Sequence, residues 1–157
     1  MKTSKTKLIT GKDFVEILRD VLDKQADFRF QAKGFSMMPF IKDGDVLTIS
    51  PLSGVSVKLA DVLAVINPKT EKLTVHRAVG IKKCCVFLQG DNLPFPDGFI
   101  PKENILGRVT KVERQGRKVF LGFGLERYTI VLLSRMRILY PLLFMTRRIL
   151  NQRNKSV

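Results

Sequence analysis

The sequence predicts a mainly β chain, a curved antiparallel sheet assembly with one helix before it and helices after it. Three observations predict this. Apolar and polar residues alternate at period two in short stretches between residues 28 and 121. Turn-forming residues separate those stretches: Asp43-Gly44, Pro51, Gly54, Asn67-Pro68 and the "DNLPFPDG" segment. Helical periodicity is confined to the two ends of the chain. Many short strands at such spacing fit antiparallel pairing better than alternating strand and helix.

The elements follow in order. Residues 1–11 form a lysine-studded arm, expected to be mobile. Thr10 is placed to cap a helix, with Asp13 three positions on. Phe14, Ile17, Leu18, Val21 and Leu22 then recur at three- and four-residue steps, which predicts an amphipathic helix over 12–24. From Phe28 the period changes to two, with Phe28, Phe30 and Ala32 alternating with Arg29, Gln31 and Lys33. Further strands are predicted at 46–50, 61–67, 73–81, 85–90 and 105–113, and 117–121 supplies a last one. After Gly124, "YTIVLLSRMRILYPLLFMTRRIL" reads as two helices split near Pro141. These helices either dock on the sheet or lie at a bilayer, since their arginines scatter around a single helical wheel.

The chain has 157 residues, 45% of them apolar, enough for one domain with an appendage. The net charge of +14 is unevenly placed. Residues 1–107 hold 16 Lys and Arg against 12 Asp and Glu, whereas residues 108–157 hold 12 against 2. A basic C-terminal third suits an anionic membrane surface, a nucleic acid or a solvated face. No helix-turn-helix or aromatic-basic sheet motif accompanies the charge, so a nucleic-acid partner is not expected. No secretory signal peptide and no run of 18 apolar residues is present, which predicts a cytoplasmic or peripherally membrane-associated protein. Cys84 and Cys85 are adjacent and bridge each other only with strain; they are expected to be buried strand thiols.

Candidate chemistry centres on few residues. Ser36, in "GFSMMPFIKDGD", is a nucleophile only if a base takes its proton. His76, in "TVHRAV", is the only histidine, and its ordinary pKa suits a general base near neutrality. On strand alternation it faces away from Val75, Arg77 and Val79 and looks into a cleft. Asp91 and Asp97 lie in "LQGDNLPFPDG", and either could orient an imidazole. With one histidine and one adjacent cysteine pair, no zinc-ligand spacing can be drawn, so no metal is expected. Gly122-x-Gly124 lacks the rest of a phosphate-loop pattern, so no nucleotide cofactor is expected either.

The order of these pieces adds a resemblance. "GFSMMPFIKDGD", "ADVLAVI", "LTVHRAV", "LQGDNLPFPD" and "ILGRVTKV" together resemble the signal peptidase I family, in the archaeal and endoplasmic-reticulum type that uses histidine as base. The likeness spans residues 33–113. It implies a fold of coiled antiparallel β-sheets, with Ser36 as nucleophile, His76 as general base, and Asp97 and Asp91 as supporting acids. It also implies that Met37, Met38 and Pro39 shape the substrate groove. On this reading the chain divides into the arm 1–11, a peptidase domain 12–124 with its β-rich core at 28–121, and a basic hydrophobic helical tail 125–157. The implied activity is cleavage after a small residue in an exported or membrane-associated precursor. Two features depart from the family: Ala60-Asp61 replaces a Gly-Asp pair, and the helix 12–24 stands where the N-terminal membrane anchor is expected. The missing anchor favours, as the alternative, a non-cleaving membrane-peripheral binding protein on the same scaffold. Repressor-type self-cleaving proteases share the architecture but resemble the chain less, since they use a lysine base.

Overall fold

The computed structural model describes residues 11–52, 54 and 56–153. The predicted arm before Gly11, with the Thr10 cap, lies outside the described residues. The chain runs α1 (Gly11–Asp23), β1 (Phe28–Gln31), β2 (Val46–Ser50), β3 (Val62–Ile66), β4 (Leu73–Ile81), β5 (Cys85–Gln89), β6 (Gly98–Pro101), β7 (Ile105–Arg114), β8 (Arg117–Lys118), α2 (Glu126–Arg135) and α3 (Leu139–Arg153). The strands form one eight-stranded sheet in the order β1-β2-β7-β3-β4-β5-β6, with β8 paired to β7. All pairs are antiparallel.

This is the predicted mainly β architecture with helices at both ends. Two strand predictions change. β6 was not expected, and the strand predicted over 117–121 shortens to Arg117–Lys118. The cysteines also differ from expectation: Cys84 is exposed in a turn and Cys85 half-buried at the start of β5.

The sheet has apolar side chains packed on both faces. Strand alternation sends Val62 and Ala64 of β3 to a cluster with Leu18 and Leu22 of α1, and with Leu47, Ile49 and Val112. The intervening Leu63 and Val65 join Ala78, Val86, Leu88 and Ile100 in a second cluster. That second cluster is built from the sheet's own strands, so the sheet must curl around it. Irregular registers between β2 and β7, β3 and β7, and β4 and β5 supply local bends for the curl. At Gly107 a Cβ would lie 2.6 Å from Ile49 Cγ2 and 2.7 Å from the Ser50 carbonyl, so only glycine lets the strands close there.

Two similar turns lead into β2 and β3. In Lys42–Asp45 and in Lys58–Asp61 the aspartate accepts the lysine N–H three residues back, at 2.8 and 2.9 Å. The residue before each aspartate is left-handed, Gly44 at φ 85° and Ala60 at φ 70°. Each aspartate also meets an arginine of β7: Asp45 with Arg114 through two bonds of 2.8 Å, and Asp61 with Arg108 at 3.3 Å. The Ala-for-Gly departure therefore falls in a turn. A left-handed alanine costs roughly 1–2 kcal/mol, and its methyl is buried against Val79 and Val131.

The C-terminal segment packs on the sheet through α2. Ile130 and Leu139 meet Phe40, and Val131 meets Val79. The helix break falls at residues 136–138, ahead of the predicted Pro141. Ile138 N–H bonds the Leu133 carbonyl at 2.9 Å and Arg137 N–H bonds that of Ser134 at 2.9 Å, with Arg137 left-handed at φ 59°. This is a Schellman closure. Pro141 instead sits in the first turn of α3, where a missing N–H has no cost.

Burial pushes the Asp45 carboxyl up, but its bonds to Arg114 and the Lys42 N–H outweigh this and hold it below its usual value of 3.8. A carboxyl depressed on folding stabilises the fold above its unfolded pKa, and that contribution disappears as pH falls through the folded value. Urea midpoints measured across the acid range should therefore fall below about pH 4. Asp45→Asn should have a lower midpoint at neutral pH and a shallower acid decline. An equally steep decline in the variant would remove Asp45 from the account.

Candidate active site

The serine loop follows β1. Gly34 enters it at φ 100°, with its N–H bonded to Asp43 Oδ1 at 2.8 Å. Met38 N–H bonds the Phe35 carbonyl, and the N–H groups of Phe40 and Ile41 both bond that of Met37. These tight turns leave the N–H groups of Ser36 and Met37 unused by the loop's own hydrogen bonds. Asn92 clamps the loop from outside: its N–H donates to the Ser36 carbonyl at 2.8 Å and its Nδ2 to the Phe35 carbonyl at 2.9 Å. Arg114 holds the far end, donating to the Phe40 carbonyl at 3.3 Å.

His76 lies in the middle of β4, opposite Leu63 of β3, and is 4% exposed. Its Nδ1–H donates to Asp97 Oδ2. Asp97 is itself fixed by its N–H on the Leu88 carbonyl at 3.0 Å, just before β6 begins. The other ring nitrogen, Nε2, faces Gly90. A Cβ at Gly90 would lie 2.9 Å from His76 Nε2 and 2.7 Å from the Ser36 carbonyl oxygen. The imidazole and the serine loop thus pack against the same glycine. Ser36 and His76 both line one groove of about 1290 Å³.

The two aspartates separate in role. Asp97 contacts His76, whereas Asp91 is bound by Arg77, with Nε to Oδ1 at 2.8 Å and Nη2 to Oδ2 at 2.7 Å. Both members of that pair are fully buried. Arg77 Nη1 also donates to the carbonyls of Ala60, at 3.2 Å, and Gly122, at 2.9 Å. Its guanidinium lies 5.6 Å from the centre of the Phe40 ring. Burial pushes the Asp91 carboxyl up, against the opposing pull of Arg77.

Strand alternation anticipated that His76 and Arg77 point to opposite sides of β4. The demand that a charge among apolar neighbours places on the fold was not drawn from it. Arg77, Asn92 and Arg114 were missed as organisers of the site. The signal for Arg77 was available, since an arginine inside "LTVHRAVGI" must find a carboxylate partner. Of the residues expected to shape the groove, Met37 lines it, while Met38 and Pro39 do not. Among the described residues, no three His, Cys, Asp or Glu side chains stand together as metal ligands. An imidazole held at Nδ1 by a carboxylate presents Nε2 as a proton acceptor.

Removing one partner of a buried ion pair leaves the other charge unpaired, at a cost of about 3–5 kcal/mol. Asp91→Asn should therefore lower the unfolding free energy by about that amount, read from urea titration at unchanged slope. A midpoint equal to that of the parent protein would deny the pair this role.

No curated protein matches the chain. The family model described as Peptidase S24-like matches residues 3–110, more than half of the chain, and that stretch includes Ser36, His76, Asp91 and Asp97. This family includes the repressor-type self-cleaving proteases. The match supports a relation to S24- and S26-type peptidases and to serine-peptidase chemistry at that coarser level. The chain belongs to the Peptidase S24-like family.

Proposed function

We propose that this protein is a serine endopeptidase of the signal peptidase type, with Ser36 as nucleophile, His76 as general base and Asp97 as the residue that orients His76. The observation that carries the reading is the packing of His76 Nε2 and the Ser36 carbonyl against Gly90, with Nδ1 bound to Asp97.

Ser36 Oγ attacks the carbonyl carbon of the scissile bond while His76 Nε2 takes the hydroxyl proton. The resulting oxyanion is stabilised by backbone N–H groups of the serine loop; Ser36 and Met37 are the donors that its turns leave free. Collapse breaks the C–N bond, and His76 returns the proton to the leaving amine. Water then attacks the acyl-enzyme, again deprotonated by His76, and releases the acid with Ser36 restored. Asp97 keeps the imidazole in the Nδ1–H tautomer and stabilises the imidazolium. Asp91 acts through Arg77 on the loop that presents Gly90 and Asn92, and is a positioning residue.

The groove that holds Ser36 is lined in part by apolar side chains, Phe14, Phe30, Leu73 and Val75 among them, with Lys12, Lys33, Lys72 and Glu71 also on its walls. Such a groove suits an extended apolar peptide segment. The resemblance to signal peptidase I adds a small residue before the cleaved bond and an exported or membrane-associated precursor as substrate class.

Ser36→Ala and His76→Ala should each abolish peptide cleavage. Ser36→Ala should keep the unfolding midpoint of the parent protein. His76→Ala, which leaves Asp97 without its imidazole partner, should stay folded by far-ultraviolet circular dichroism at a lower midpoint. Asp97→Asn should lower kcat by on the order of 10²–10⁴ with little change in KM. A serine-directed covalent probe should label Ser36 and fail to label the His76→Ala variant. Full turnover by either alanine variant would overturn the mechanism. A parent protein that neither cleaves nor reacts with the probe would instead favour a non-cleaving scaffold.

A further inference from the structure

α2 buries Ile130, Val131 and Ser134 and exposes an apolar stripe on its opposite side. Leu125, Tyr128, Leu132 and Met136 fall within about 80° of one another around the helix axis. They are 86%, 43%, 58% and 58% exposed. Beyond the break, α3 exposes Leu142, Phe144 and Met145. No single helix among the described residues is long and apolar enough to cross a membrane, and α2 and the start of α3 meet at 104°. With one side of α2 packed on the sheet, the exposed stripe can enter only the outer part of a bilayer.

Cations border this surface. At the foot of α2, Arg135 and Arg137 share with Lys82 a cleft of about 640 Å³ whose walls include Val79, Phe87 and Phe99. Arg135 flanks Tyr128 on the wheel of α2 and Arg137 follows Met136, while Arg127 turns toward Asp61 at 3.8 Å. The chemistry selects among occupants. A second copy of the chain would bring like charges together in a protein of net charge +14. A nucleic acid would satisfy the arginines and leave the apolar stripe in water. An anionic bilayer satisfies both.

We propose that the α2–α3 surface docks on an anionic phospholipid bilayer, with its apolar stripe in the acyl boundary and Lys82, Arg135 and Arg137 against lipid phosphates. This docking is independent of peptidase activity. None of the exposed stripe residues lines the groove that holds Ser36 and His76.

Flotation of the full chain with vesicles tests it. Binding is expected to vesicles of phosphatidylcholine with about 30% phosphatidylglycerol, but not to phosphatidylcholine alone, and should weaken with salt. Arg135→Ala and Arg137→Ala should each weaken binding by about fivefold. The double variant Leu132→Glu with Met136→Glu should lose at least about tenfold while keeping its far-ultraviolet circular dichroism. Should that double variant not fold, the two arginine variants and the lipid comparison still decide. Ser36→Ala should float like the parent protein, which separates this result from any failure of the peptidase reading. Equal flotation with neutral vesicles, or full retention by the folded double variant, would overturn the proposal. So would a dimer broken by the same substitutions without vesicle binding, or DNA binding without vesicle binding.

Discussion

A fully buried guanidinium organises this molecule. Arg77 cannot keep its charge inside the protein without partners, and the fold supplies four bonds to it. They come from three separate places: Asp91 in the loop after β5, the Ala60 turn before β3, and Gly122 ahead of α2. Each segment is thereby held at one point beneath β4. A buried ion pair contributes little net stability compared with apolar residues of the same shape. What it imposes here is position, because any other placement of these three segments leaves a charge or a carbonyl unsatisfied.

The position matters because His76 is the next residue along the same strand. Arg77 points to one side of β4 and fixes Asp91. The two residues before and after that carboxylate, Gly90 and Asn92, then set the approach of the imidazole and clamp the serine loop. Arg114 and Asp45 hold the loop's other end. The reactive groups proposed for catalysis are few, and the charged residues that immobilise them are more numerous, with Arg77, Asp91 and Asp45 buried. This division follows from the chemistry, since a serine hydroxyl and an imidazole bind weakly to their surroundings and must be placed by others.

Much of this was legible in the sequence where local pattern and tertiary burial agree. The alternating stretches became strands within a residue or two because each has one or both faces packed. β6 was not legible, since "GFIP" is short, begins with glycine, ends with proline and pairs only with β5. The C-terminal break was misplaced because proline is an obvious breaker, whereas a left-handed arginine at position 137 carries no local signal. Residue type and motif order brought Ser36 and His76 forward as candidates, and the fold puts both on one groove. The choice between Asp91 and Asp97 was not, because both lie in one loop and the choice depends on which carboxylate Arg77 takes. Cys84 and Cys85 misled for a related reason: an apolar residue type at a strand's edge need not be inside.

Gly90 carries a consequence for how this molecule can vary. There the imidazole and the serine carbonyl both press on Gly90, 2.9 and 2.7 Å from where a Cβ would stand, so the wall admits no side chain at that point. The rest of the groove is a second wall, made in part of side chains from α1, β1 and the start of β4 that take no part in the bonds around Arg77. Preference for different peptides can therefore drift along that second wall, residue by residue, while the first wall stays fixed. The groove has one side that can evolve and one that cannot.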